Sequence, residues 1–76
     1  MPHIIVKMYP GRTEDQKVEL TTRIVDAVMD TLKVGTQSIS VGIEEISPEN
    51  WTEAVTKPDI LDKEDTLYKK PGYKNA

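Results

Sequence analysis

The feature that most constrains the fold is a strand, a long helix and a second strand, which together occupy the first 46 of 76 residues. Apolar side chains alternate over residues 3–9, and this period of two predicts a strand. Over residues 14–33 they recur at steps of three and four, which predicts an amphipathic helix. Alternation returns over residues 38–46. Two strands joined through a helix predict a βαβ unit with parallel strands and a right-handed crossover.

Local signals mark both ends of the long helix. Thr13, followed three residues later by Gln16, matches the capping box, in which each side chain accepts from the other residue's backbone N–H. At the far end, Lys33 suits the negative pole of the helix, and Gly35 is predicted to end it. The apolar stripe of this helix is wide, which indicates core packing and not a cofactor site.

Beyond the second strand the patterns are shorter. Ser47 as a cap and Pro48 in the first turn predict a second, short helix that ends before Pro58. Residues 59–69 mix a few apolar side chains with charges and predict a further weak helix. The whole chain, residues 1–76, is therefore predicted to be a single α+β domain, one βαβ unit with short C-terminal helices.

The small size of the chain predicts self-association. A domain of 76 residues buries only about 60% of the surface that it exposes when unfolded, so its core is marginal. It has no cysteine, so neither disulfides nor thiolate-bound metals can reinforce it. A two-stranded sheet is also marginal in water. We therefore expect a homodimer whose two units form a four-stranded sheet, with the two long helices on one face.

Charge and composition disfavour several classes of partner. The net charge is −3 with acids and bases interspersed, which argues against nucleic acid and acidic membranes. The longest apolar run is three residues, so we expect neither a membrane span nor a signal peptide. The lack of cysteine fits a reducing compartment, and we expect the cytoplasm. His3 is the single histidine and makes no convincing metal site, so we expect neither metal nor cofactor.

The reactivity of the Pro2 nitrogen depends on whether Met1 is removed. Removal of Met1 is expected because proline is a small second residue, and it converts the Pro2 nitrogen from an amide into a secondary amine. That amine is more basic than an ordinary α-amino group, whose pKa is about 7.7–8.0. A general base works best when its pKa lies near the operating pH, so the pKa of Pro2 must be lowered. Otherwise Pro2 merely starts a strand, where its missing N–H costs nothing.

Several short motifs, in their order and spacing, resemble the 4-oxalocrotonate tautomerase family over roughly residues 1–51. The later motifs and the tail are most similar to the short dimeric bacterial branch of that family, the PptA tautomerases. The motifs are Met1-Pro2, Pro10-Gly11-Arg12-Thr13, Glu14-Asp15-Gln16-Lys17, Ser47-Pro48-Glu49-Asn50-Trp51 and Lys70-Pro71-Gly72-Tyr73.

The resemblance implies a cofactor-free keto–enol tautomerase acting on a 2-hydroxydienoate or an enolpyruvate. Pro2 would be the general base. Arg12 would bind the substrate carboxylate and, lying near Pro2, lower its pKa. Trp51 would form an aromatic wall, although core or interface packing explains a lone tryptophan equally well. The best-known members carry a second arginine where this chain has Ser40, which we place among the substrate-binding residues; this difference favours a monocarboxylate substrate.

Two other classes of function remain open from the sequence. One is a hydratase or dehalogenase on the same scaffold, in which a protonated Pro2 donates a proton while a carboxylate activates water. The other is a small self-associating βαβ module that binds without catalysis. Retention of Met1 in the mature protein would favour the second of these.

Overall fold

The computed structural model describes residues 1–73, an α+β fold built on one pair of parallel strands. Strand β1 spans His3–Met8, helix α1 spans Glu14–Leu32, and strand β2 spans Ser40–Glu45. The register pairs the first residue of β1 with the first residue of β2 and continues unbroken to the last. The βαβ unit and the parallel pairing expected from the sequence are therefore confirmed.

Helix α1 lies within one residue of its predicted bounds, but the residue that terminates it differs from the prediction. The Thr13 hydroxyl accepts the Gln16 N–H at 3.1 Å, and the Gln16 side chain accepts the Thr13 N–H at 2.9 Å, which completes the capping box. At the other end, Lys33 adopts the left-handed conformation with φ of 59°, and its N–H donates to Met29 O at 2.9 Å. The prediction that Gly35 ends the helix is wrong. Gly35 has extended backbone and precedes the next turn.

The remaining elements are short. They are 3₁₀ helices at Thr36–Ser38, Pro48–Asn50 and Glu64–Thr66, and a π-helix at Thr52–Leu61. The first of these includes Ser38, which the alternation had assigned to β2, and the strand spans Ser40–Glu45, so it is shorter than predicted. The single weak helix predicted over residues 59–69 is also wrong, because its start belongs to the π-helix and only one short turn follows.

The π-helix contains Pro58, so the prediction that the second helix ends before this residue is wrong. In an α-helix, a proline ring clashes with the carbonyl four residues earlier and removes one N–H donor. A π-helix bonds groups five residues apart, as in the 3.0 Å bond from Asp62 N–H to Lys57 O, and its wider turn relieves this clash. The expected cap by Ser47 is also absent, since its side chain makes no capping hydrogen bond.

The two faces of the sheet are covered differently. Helix α1 lies on the face of Val41 and Ile43, where Lys17 pairs with Glu45 at 3.0 Å. On the second face, the segment of residues 51–61 covers the carboxyl end of the strands, as the ion pair described below shows. The amino end of that face is bare.

Ile5 and Gly42 mark this bare region. Ile5 is 50% exposed, and a Cβ added at Gly42, its cross-strand partner, would meet nothing within 4 Å. Period-two alternation places both residues on the second face. Within one chain the second face is therefore covered at its carboxyl end, whereas apolar sheet surface stays open at its amino end.

The core of one chain is very small. Among residues 1–73, Val55 is the one apolar residue that is buried, at 6% exposure, and no side chain is fully buried. The radius of gyration is 13.9 Å, whereas a compact domain of this length has a radius of about 11 Å. The large apolar residues left exposed are Met1, Ile5, Tyr9, Val18, Leu20, Leu32, Leu61, Tyr68 and Tyr73.

Candidate active site

A cleft of about 480 Å³ opens at the carboxyl end of β1. Its volume lies within the range of roughly 300–1,000 Å³ that is typical of small-molecule sites. It is lined by Lys7, Met8, Tyr9, Arg12, Trp51 and Tyr73. The strand end, the loop into α1 and the start of the π-helix therefore meet here. The resulting surface is mainly apolar and carries two cationic side chains, which suits an acid with an apolar body.

Trp51 and Tyr9 form the aromatic wall of this cleft. Their ring centroids are 4.9 Å apart and the ring planes are at 84°, an edge-to-face arrangement. Among the described residues, the Trp51 indole N–H is buried without a hydrogen-bond partner. Trp51 therefore packs against its own chain and also lines the cleft, so both readings of this residue from the sequence hold for its position. Its contact with substrate stays a prediction.

Arg12 is the cation that is open to a ligand. It lies in the exposed loop between β1 and α1, and within residues 1–73 it makes no ion pair. A guanidinium can bind a carboxylate through two parallel hydrogen bonds. Its position in the cleft is the one that the resemblance implied for a carboxylate-binding arginine.

Lys7 is a second cation in the cleft, and the sequence analysis missed it. Its ammonium donates to Asp59 Oδ2 at 2.5 Å, and the two side chains are 25% and 30% exposed. The hydrogen bond to Asp59 raises the pKa of Lys7 above its ordinary value of 10.5, while burial opposes the rise. Alternation placed Lys7 on the face of Tyr9, but its partner lies 52 residues away and no local pattern points to it.

Pro2 and Ser40 lie together at the opposite end of the strands. The Ser40 N–H donates to Pro2 O at 3.2 Å, and Ser40 Oγ is 2.6 Å from Nδ1 of His3. This contact follows from the register, in which His3 and Ser40 are cross-strand partners. The hydroxyl of Ser40 is therefore engaged by His3 at the amino end of the sheet.

The four site residues predicted from the sequence thus form two separate pairs. Pro2 precedes β1 and Arg12 follows it, and six strand residues at about 3.3 Å each place the two roughly 20 Å apart. An extended strand thus keeps Pro2 and Arg12 apart within one chain. The expectation that Arg12 lies near Pro2 in the working site stays a prediction, and it requires the two residues to come from different protomers.

Residues 1–73 contain neither a cluster of metal ligands nor a helix that could span a membrane. No group of three or more histidine, cysteine, aspartate or glutamate residues there is arranged to hold a metal ion. No helix in the same range is long and apolar enough to cross a membrane.

Comparison with known proteins identifies the family. The tautomerase enzyme family matches residues 2–57 of this chain. The chain belongs to the tautomerase family. It is 40% identical over 73 residues to a probable tautomerase of Xylella fastidiosa (strain 9a5c), covering 96% of this chain and 89% of that protein. It is 39% identical over 74 residues to the tautomerase PptA of Escherichia coli (strain SMS-3-5 / SECEC), covering 96% and 97% of the two chains.

Solved structures agree with this assignment. TomN, a 4-oxalocrotonate tautomerase homologue of the tomaymycin biosynthetic pathway, matches with a TM-score of 0.64 and 30% identity, over 66% of this chain and 77% of TomN. YwhB, another 4-oxalocrotonate tautomerase homologue, matches with a TM-score of 0.59 and 39% identity, over 60% and 75% of the two chains. The chain is thus an enzyme of the tautomerase type, an isomerase, with the α+β fold of the 4-oxalocrotonate tautomerase homologues.

Proposed function

We propose that this tautomerase interconverts the enol and keto forms of a small monocarboxylate, with processed Pro2 as general base and no cofactor. The preferred substrate class is an enolpyruvate with an aromatic or apolar end. The observation that carries the proposal is the cleft itself, in which one open guanidinium, that of Arg12, faces the aromatic wall of Trp51 and Tyr9. We expect the enzyme in the cytoplasm, because the absence of cysteine fits a reducing compartment.

The chemistry needs Met1 to be removed. Met1 is fully exposed, so its loss leaves the rest of the chain undisturbed. The free amine of Pro2 then takes the enol O–H proton. The electrons of the O–H bond form the carbonyl, and the electrons of the C=C bond move to the neighbouring carbon, the one that does not bear the oxygen. The Pro2 ammonium donates its proton to that carbon, which forms the C–H bond and restores the amine. One proton moves from oxygen to carbon, and no oxidant or metal enters the balance.

We propose that the working unit is a homodimer in which two β1 strands pair antiparallel. β1 is an edge strand of the two-stranded sheet, so its outer side is free within one chain. Antiparallel pairing about a dyad places the amino end of each β1 beside the carboxyl end of the other. Pro2 of one protomer then lies beside the cleft of the second protomer, which is lined by Arg12 and Trp51. The resulting four-stranded sheet carries both long helices on one face.

The substrate preference follows from the number of open cations. Arg12 provides one carboxylate site, whereas Lys7 is already paired with Asp59. Ser40 stands where the best-known family members have a second arginine, and its hydroxyl is bonded to His3. Within residues 1–73, a second carboxylate thus has no open cation to bind in this cleft, while an aryl group can pack on the aromatic wall. We expect a higher kcat/KM for an arylenolpyruvate than for a 2-hydroxydienedioate.

The decisive test compares two forms of the same chain. One carries a cleavable N-terminal tag, and the other has been cleaved so that Pro2 is the first residue. The tag leaves the Pro2 nitrogen as an amide, so ketonisation of an arylenolpyruvate should fall by about 10²–10⁴-fold, the usual worth of a general base. Circular dichroism and sedimentation check that both forms fold and associate alike. Equal activity in two equally folded samples would eliminate Pro2 as the base.

The dependence of activity on pH is a second test of Pro2 as the general base. Activity should rise as the Pro2 amine loses its proton. We expect that pKa below the roughly 7.7–8.0 of an ordinary α-amino group, because the Arg12 cation of the second protomer and partial burial both disfavour the charged amine.

A further inference from the structure

The ion pair between Lys7 and Asp59 controls how many cations the cleft offers. Lys7 lines the cleft, whereas Asp59 lies behind it on the π-helix. The pair is short, at 2.5 Å, and both side chains are less than one-third exposed. An ion pair held this way is screened less by water than a surface pair. Among residues 1–73, two cations therefore line the cleft, and of these two Arg12 is the one that is open to a ligand.

A second carboxylate on a substrate would have to compete with Asp59 for Lys7. If it displaced Asp59, that carboxylate would stay behind, partly buried and unpaired, which is costly. If it failed to displace Asp59, it would be desolvated against an apolar wall without a partner. Either outcome penalises a dicarboxylate and leaves a monocarboxylate unaffected. Discrimination then arises from the unfavourable contact as much as from the favourable one.

We propose that Asp59 is a positioning residue that makes this tautomerase selective for substrates with one carboxylate, by holding Lys7 away from the ligand. Without Asp59, the cleft would present Lys7 and Arg12 together and would accept a dicarboxylate. The inference rests on the proposed function, because it concerns the substrate class of the same cleft. It goes further in assigning the selectivity to a residue outside the cleft lining.

A purely structural role for the pair predicts something different. Lys7 lies on β1 and Asp59 on the π-helix, so the pair also fastens the C-terminal segment to the sheet. If fastening were its whole role, Asp59→Asn would weaken binding of all ligands alike. A change in the ratio between two ligands that differ by one carboxylate separates the two roles.

The probes are trans-cinnamate and 4-carboxycinnamate, which share an aryl acid body and differ in one distal carboxylate. Neither can undergo ketonisation, so titration calorimetry measures their Kd values without turnover. The wild-type enzyme should bind cinnamate more tightly. In Asp59→Asn, the ratio of affinities should shift toward the dicarboxylate by about tenfold, the lower range for a hydrogen bond to a charged group.

Four further variants test whether a shifted ratio of affinities comes from the release of Lys7. Asp59→Ser removes the same charge with a different side chain, and it should shift the ratio as Asp59→Asn does. Asp59→Glu keeps the pair and should keep the wild-type ratio. The double variant Lys7→Gln with Asp59→Asn has the wild-type net charge and no free ammonium, so it should also keep that ratio. Glu19→Gln adds the same charge change on the exposed face of α1, where Glu19 pairs with Arg23, and should change nothing.

The outcomes separate this inference from the proposed function. An unchanged ratio in both Asp59→Asn and Asp59→Ser would overturn the role of Asp59, even if the enzyme ketonises an arylenolpyruvate. A shifted ratio that survives in the double variant would also overturn it, because Lys7 would then not be the responsible cation. A shifted ratio in an enzyme that fails to ketonise would uphold the role of Asp59 and reject the proposed reaction.

Discussion

Substituting Ile5 tests whether the bare end of the second sheet face becomes an interface. Ile5 lies in β1, and half of its surface is exposed in the single chain. In the antiparallel dimer, this end of β1 lies beside the covered end of the second protomer, whose residues 51–61 can extend over it. Threonine keeps the branched shape that strands favour, so Ile5→Thr changes burial more than strand propensity. We expect the variant to fold and to dissociate.

The expected change in the dimer Kd follows from the half of the Ile5 surface that is exposed in the single chain. Full burial of an isoleucine side chain is worth about 1.5–3 kcal/mol, so burial of the remaining half is worth about 0.75–1.5 kcal/mol per protomer. A dyad repeats each contact, which doubles the loss to about 1.5–3 kcal/mol per dimer. Since about 1.4 kcal/mol is a factor of ten, the dimer Kd should rise by roughly 10–150-fold.

Sedimentation velocity over a dilution series measures this Kd, with circular dichroism confirming that the helix content is retained. Arg23→Ala is the control, because Arg23 lies on the exposed side of α1, the helix that covers the opposite face of the sheet, and its loss should leave the Kd unchanged. Ile5→Thr with a wild-type Kd would show that the bare face is not in the interface. Pro2 of one protomer would then have no reason to lie beside the cleft of a second protomer.

Three further outcomes are expected. Arg12→Ala should lower kcat/KM for a monocarboxylate about 10–150-fold through KM, whereas Arg23→Ala, a matched exposed arginine, should not. Thr13→Ala should lower the free energy of unfolding by about 1 kcal/mol in urea titrations, because the capping box loses its acceptor. The hydrogen bond to Glu45 raises the pKa of Lys17 above 10.5, and burial opposes the rise. The stability from this pair is therefore fully present below pH 10.5 and is lost as pH rises through the folded pKa, a loss that Lys17→Gln should abolish.

The parts of the fold that the sequence predicted are those decided by near neighbours. The capping box joins residues three apart, so Thr13 and Gln16 sufficed to place the start of α1. The bounds of α1 were predicted to within one residue, but the residue that terminates it was not, because Lys33 adopts the left-handed conformation that glycine would adopt at lower cost. The prediction that the second helix ends before Pro58 was wrong because the rule against proline applies to α-helices, whereas this segment is a π-helix.

The residues of the candidate site can also be separated into those that the sequence predicted and those that it did not. The resemblance placed Arg12 and Trp51 in one cleft, and the structure brings both to its lining. The ion pair between Lys7 and Asp59 could not be predicted from the sequence, because it forms where the C-terminal segment packs on the sheet. The separation of Pro2 from Arg12, by contrast, could have been computed from the strand length alone, since a strand has a fixed rise per residue.

The small core and the divided site have a common physical cause. A βαβ unit of this length can cover one face of its sheet with α1, and its C-terminal segment reaches only the carboxyl end of the other face. The uncovered amino end is also where Pro2 lies, whereas the cleft lined by Arg12 and Trp51 lies at the covered end. The proposed antiparallel association would bring the covered end of each protomer to the bare end of the other, and Pro2 would then lie beside that cleft. The contacts between protomers in the proposed dimer would thus also assemble the proton-transfer site, so we expect the enzyme to be active only when it is associated.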